Sequence, residues 1–210
     1  MSPPKPPKIL RIFISSPGDL LAERAAVREL IDRLNAEFQP RGLGLEALLW
    51  EATMPRVLGY PPQEVVNYYL GRASETDVFV GLFWSRLGSE AIVDRERHPS
   101  GTVYELRDAY RRWRRDDRPL MLLCRSRRPI PDNADPAQLQ VQAVDDFFRV
   151  ALPRDMPELG SLLHEFQDAS DLLPQLEISL RAIANSALAN DDGRPVAVSV
   201  PVATSELRRL

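Results

Sequence analysis

The sequence predicts a doubly wound α/β domain, with a parallel sheet of about five strands in the order 2-1-3-4-5 and helices on both of its faces. Three observations predict it. Short β-branched or apolar runs alternate along the chain with longer segments whose apolar residues recur at helical spacing. The run Asp77-Val-Phe-Val-Gly-Leu-Phe-Trp84 is nearly continuous apolar sequence, which suits a central strand covered on both faces. Breakers such as Ser15-Ser-Pro-Gly18 separate strand candidates from the helices that follow. Right-handed crossovers between such units give a three-layer sandwich, and about five strands favour the flavodoxin-like order over the six-stranded dinucleotide fold.

Each element has its own justification. Lys8 to Ile14 is a β-branched, apolar run and forms the first strand. From Asp19 to Phe38, residues Leu20, Leu21, Ala25, Val27, Leu30, Ile31, Leu34 and Phe38 mark a long first helix, with Gly42 beyond its end. Leu43 to Trp50 reads as the second strand, and Gln63 to Ala73 as a helix started by Pro61-Pro62. After the third strand a polar loop runs from Ser85 to Ser100, followed by a helix over Thr102 to Arg115 and a fourth strand over Pro119 to Cys124. Asp135 to Val150 is helical, Leu162 to Phe166 is the fifth strand, and Asp171 to Leu188 is an amphipathic helix with Pro174 in its first turn, where proline is tolerated. The expected organisation is a proline-rich leader over 1–7, one domain over 8–188, and a linker or tail over 189–210 leading to a further domain.

Bulk properties narrow the function classes. With 44% hydrophobic and 27% charged residues the composition is globular, and the longest apolar runs are far too short to cross a bilayer. The single cysteine, Cys124, lies inside an apolar run, which rules out an internal disulfide framework and suits the cytosol. A net charge of -3 gives no global attraction to nucleic acid or anionic lipid. Arginines cluster at Arg111, Arg112, Arg114 and Arg115, and again at Arg125, Arg127 and Arg128; a solvated, ion-paired surface explains both clusters, and phosphate binding is the competing explanation.

In the expected strand order, ligands bind outside the carboxyl ends of the first and third strands, where the order reverses. Two loops meet there, Ser15-Ser-Pro-Gly-Asp19 and the segment beginning Trp84-Ser-Arg-Leu-Gly88. The first could present hydroxyls and backbone N–H groups to an anion at a helix N-terminus. It could equally be a helix start, with Ser16 as N-cap, Pro17 at the first helical position and Asp19 at the third. Neither G-x-G-x-x-G nor a P-loop pattern is present. Glu105, at the start of the helix after the third strand, has the same two readings, because Thr102-Val-Tyr-Glu105 fits the T-x-x-E capping box. His98 and His164 stand far apart without a neighbouring cysteine, so no metal site is expected. Trp50, Trp84 and Trp113 read as packing residues, and Trp84 alone also falls at the ligand edge.

Phe13-Ile-Ser-Ser-Pro-Gly-Asp-Leu-Leu-Ala-Glu-Arg24 is similar to the F-I-S-S-x-x-D-L/V-x-x-E-R signature that opens a TIR-like family of unknown function, and Asp77 to Trp84, Ser100 to Leu106 and Arg118 to Leu123 resemble it in order and spacing. Such domains stand at the N-terminus of bacterial signalling and defence proteins, ahead of sensor or NTPase modules. In catalytic TIR domains a glutamate on the helix after the third strand is required to cleave NAD at the nicotinamide–ribose bond, and Glu105 is the residue that matches it. Related deoxyribosyltransferase-like enzymes also use a carboxylate to break an N-glycosidic bond. The resemblance therefore implies Glu105 as nucleophile or electrostatic stabiliser of an oxocarbenium-like transition state, with Ser15, Ser16 and the first helix N-terminus holding ribose or phosphate. Trp84 is implied to stack on a base, and Asp19, Arg86 and Tyr104 are grouped with it as substrate-binding. NAD is implied as substrate rather than as a bound cofactor, with activity on self-assembly. A non-catalytic module for homotypic protein interaction is the alternative, and nucleic acid is not expected as a partner.

Overall fold

A computed structural model of the chain describes residues 8–49, 72–134 and 139–190. The expected leader, Trp50, nearly all of the expected 63–73 helix and the tail from 191 lie outside the described residues.

The strands are β1 (Lys8–Ser15), β2 (Leu43–Leu48), β3 (Val78–Phe83), β4 (Ala91–Val93), β5 (Glu96–His98), β6 (Leu120–Ser126) and β7 (Leu163–Phe166). The helices are α1 (Leu21–Phe38), α2 (Gly101–Asp116), α3 (Val141–Asp146), α4 (Leu152–Asp155) and α5 (Ala169–Ala189). Five strands form one parallel sheet in the order β2-β1-β3-β6-β7, which is the expected flavodoxin-like arrangement. Two differences stand out. The expected Ser85–Ser100 loop carries the antiparallel hairpin β4–β5, and the expected 135–150 helix, whose first four residues lie outside the described ones, is α3 from Val141 passing through a π-helical turn, Phe147–Ala151, into α4. Pro174 is the sixth residue of α5 rather than a first-turn residue, because the helix begins at Ala169 under an Asp168 cap.

Strand alternation sorts the core into two halves. Leu10, Ile12 and Ile14 of β1, with Val78, Val80 and Leu82 of β3, face α1 and α5. Phe13, Phe79 and Phe83 point the other way, against Val103, Leu106 and Ala109 of α2 and against Phe147 and Phe148. Phe83 packs with Phe147 at 5.9 Å and edge-on with Phe148 at 5.5 Å between ring centroids, burial worth about 1.5–3 kcal/mol for such a side chain. Ser15 follows Phe13 by two positions, so the period of the strand delivers its hydroxyl to the α2 face at the carboxyl end of β1. Its register partner on β3 is Gly81, where a Cβ would stand 3.0 Å from Phe79 and 3.1 Å from Leu123. Among the described residues no helix is long and apolar enough to cross a membrane.

Candidate active site

The sheet order reverses between β1 and β3, and the first turns of α2 lie over that edge. Ser100 starts α2: its backbone is extended and its Oγ accepts the Val103 N–H at 3.1 Å. Thr102 is therefore already the second helical residue, and with Ser100 as the cap the third helical position belongs to Val103, so Glu105, two positions further on, closes no capping box. This corrects the T-x-x-E reading. Instead Glu105 joins Thr102, Leu106 and Ala109 on the buried stripe of α2, where it is only 8% exposed. Its Oε2 accepts the Ser15 hydroxyl at 2.6 Å, and Ser15 is 1% exposed. A short O–H···O⁻ bond shielded from water is among the stronger neutral-to-charged contacts available to a protein. The arrangement holds one carboxylate at the ligand edge of the sheet, oriented by a hydroxyl from the neighbouring strand.

The rest of the β1 loop also departs from a capping box. α1 begins at Leu21 with Leu20 as N-cap and no side-chain cap, so Ser16, Pro17 and Asp19 all precede the helix. Asp19 reaches across the reversal point instead, its Oδ2 accepting from the Ser85 backbone N–H at 2.9 Å and from the Ser85 hydroxyl at 2.8 Å. Ser16 Oγ and Asp19 Oδ1 are buried without a hydrogen-bond partner. The loop after β3 is further pinned by Gln140, whose side chain accepts from Leu87 N–H at 2.8 Å and donates to the Gly88 carbonyl at 3.2 Å. Gly88 needs its positive φ of 107°, and a Cβ there would press on the Ser100 hydroxyl at 3.1 Å.

Trp84, the residue after β3, is half-buried, its indole N–H donating to the Arg128 carbonyl at 2.9 Å while the Arg128 guanidinium lies 3.8 Å from the ring centroid. One ring face is thus occupied, so a stacking base has only the opposite face unless Arg128 moves. Arg128 in turn donates to Glu23 Oε1 at 2.7 Å. Arg86 is half-buried in the same loop, and Tyr104 is buried on α2 with its ring 4.7 Å from that of His98. The site thus brings together Ser15, Ser16, Asp19 and Glu105, with Trp84 joined to α1 through Arg128. Tyr104 turns instead toward the β4–β5 hairpin.

Two residues of the loop's support were not among the sequence candidates. Glu23 is 4% exposed under Arg128, and Arg24 is 1% exposed with its Nη1 donating to the Ser16 carbonyl at 3.3 Å. A signal for Arg24 was present, since it occupies a position on the helical stripe Leu20, Val27, Ile31 that is otherwise apolar. The arginine clusters are largely ion-paired: Arg112 and Arg115 with Asp116, Arg114 with Glu158, Arg125 with Asp145, Arg127 with Glu165.

No curated protein matches the chain. A family match covers residues 11–181, from β1 into α5 and including every residue of this site, and on that match the chain belongs to the family described as a domain of unknown function (DUF4062).

Proposed function

We propose that this domain cleaves the N-glycosidic bond of NAD, or of a related nucleotide, with Glu105 as the catalytic carboxylate and with activity arising on self-assembly. The supporting observation is the Ser15–Glu105 hydrogen bond of 2.6 Å at the point where the strand order reverses. A carboxylate that only closed a helix end would not be turned toward the sheet and held by a hydroxyl 90 residues away in the chain.

In this reaction the C1′–N bond breaks and nicotinamide leaves with the bonding pair on its ring nitrogen, which cancels the pyridinium charge. Positive charge then develops on the ribose ring as an oxocarbenium ion. Glu105 either stabilises that charge, and water adds to the cation, or bonds to C1′, and water then displaces the carboxylate from C1′; in both cases the added water loses a proton to solvent to complete hydrolysis. Ser15 fixes the carboxylate rotamer. A carboxylate held in place before positive charge develops on the ribose needs little reorganisation when it does. Ser16 and the α1 N-terminus hold ribose or phosphate, and Trp84 borders the base.

The test is nicotinamide release from NAD as protein concentration is raised into the high micromolar range, with and without a crowding agent. The proposal expects turnover per protomer to rise with concentration. Absence of turnover under every assembly condition would overturn it in favour of a non-catalytic interaction module.

A further inference from the structure

Six buried side-chain atoms among the described residues have no hydrogen-bond partner, and four of these are single nitrogens of arginines. The only two oxygens are Ser16 Oγ and Asp19 Oδ1, three positions apart in the loop that follows β1. Leaving a polar atom buried and unsatisfied costs about 1–3 kcal/mol, so two in one short loop at the ligand edge call for a ligand. The rest of the loop is well anchored: Asp19 Oδ2 holds Ser85 twice, and Arg24 holds the Ser16 carbonyl. Ser16 is 6% exposed.

The chemistry of the pair identifies the ligand group. A carboxylate oxygen accepts and cannot donate, and it repels phosphate, whereas a serine hydroxyl can do either. Vicinal hydroxyls of a sugar satisfy both: the 2′-hydroxyl donates to Asp19 Oδ1, and the 3′-hydroxyl exchanges a hydrogen bond with Ser16 Oγ. We propose that Ser16 and Asp19 form a ribose-diol subsite that makes the domain selective for ribonucleotides over 2′-deoxy analogues and places phosphate elsewhere. This deepens the glycosidase reading and rests on it for the position of the sugar beside Glu105. Because neither atom is open to solvent, the diol enters with a local displacement of the side chains over the loop.

The experiment measures binding of nicotinamide mononucleotide and its 2′-deoxy analogue by calorimetry, on the full chain carrying Glu105→Gln to block turnover. A hydrogen bond to a charged group corresponds to about tenfold or more in affinity, so the ribonucleotide should bind at least about tenfold tighter. Asp19→Asn keeps an oxygen for Ser85 but replaces the unpartnered oxygen by an NH₂ donor, and it should erase that preference while leaving the fold intact. Ser16→Ala, which adds no bulk, should reduce it and serves if Asp19→Asn fails to fold. Equal affinity for the two probes, preference retained in both variants, or no binding of either probe would overturn the subsite; an internal water satisfying both oxygens gives the first of these results. Preference without NAD turnover by the unmutated chain would instead leave the subsite standing and remove the glycosidase.

Discussion

Removing the Ser15 hydroxyl tests whether Glu105 is held from the sheet or serves its own helix. Ser15 and Glu105 are 1% and 8% exposed and 2.6 Å apart. A buried hydrogen bond to a charged acceptor is worth about 1.5–3 kcal/mol, so Ser15→Ala is expected to lower the unfolding free energy by about that amount. Glu105→Gln retains an acceptor for Ser15 and removes the cost of burying a charge, so it should be neutral or stabilising, as is common where activity is maintained against stability. The single Glu105→Ala change mixes a lost bond with relief of that burial cost, and its sign alone decides little. The double-mutant cycle isolates the pair: Ser15→Ala and Glu105→Ala should couple by about 1.5 kcal/mol or more, measured by urea unfolding under conditions where both variants are folded. Costs that add within about 0.3–0.5 kcal/mol would show that the two residues act independently. That outcome would refute the positioning argument and return Glu105 to a local role.

Other consequences are checked as simply. Arg128→Ala strips the buried Glu23 of its partner and Trp84 of its cation–π contact at 3.8 Å; because Arg128 is itself 35% exposed at the side chain, the expected loss is about 2 kcal/mol rather than the full cost of a buried pair. Tyr110 donates to Glu158 at 2.5 Å, and burial first, then the neighbouring carboxylate, pushes its phenol up to about 12. A pKa raised in the folded state means that stability present below pH 10 is lost as pH rises from about 10 to 12; two units bound this at about 2.7 kcal/mol, and solvent screening brings it nearer 1. Tyr110→Phe should flatten that decline in denaturation curves taken across the window. Burial alone pushes the Cys124 thiol up to about 12, so it should resist thiol reagents at pH 8 until the protein unfolds; rapid labelling of the native state would contradict the packing of β6.

How much of this was legible in the sequence depended on how local the deciding interactions are. The order of the five parallel strands followed from apolar runs and turn signals, each a property of a few neighbouring residues. The hairpin did not, because Ala91–Val93 and Glu96–His98 are too short to show a period, and Asp94 and Arg95 make its turn at positive φ without a glycine. At both helix starts a local capping pattern competed with a partner far along the chain, and the distant partner won: Asp19 with Ser85, Glu105 with Ser15. Ser100, one position before the glycine that opens α2, took the capping role expected of Thr102. Arg24 was visible as the last residue of the signature and as a charge on an apolar stripe, but the Ser16 carbonyl that it meets could not be read from spacing. The π-helical turn at Phe147–Ala151 was masked by an apolar pattern that an ordinary helix satisfies equally well.

The central claim is that Glu105 acts on substrate, and nicotinamide release from NAD by wild type and by Glu105→Gln, at equal concentration and with equal circular dichroism spectra, tests it most directly. The account predicts turnover by wild type and a loss of about 10²-fold or more in the variant. Turnover by Glu105→Gln at the wild-type rate would contradict it.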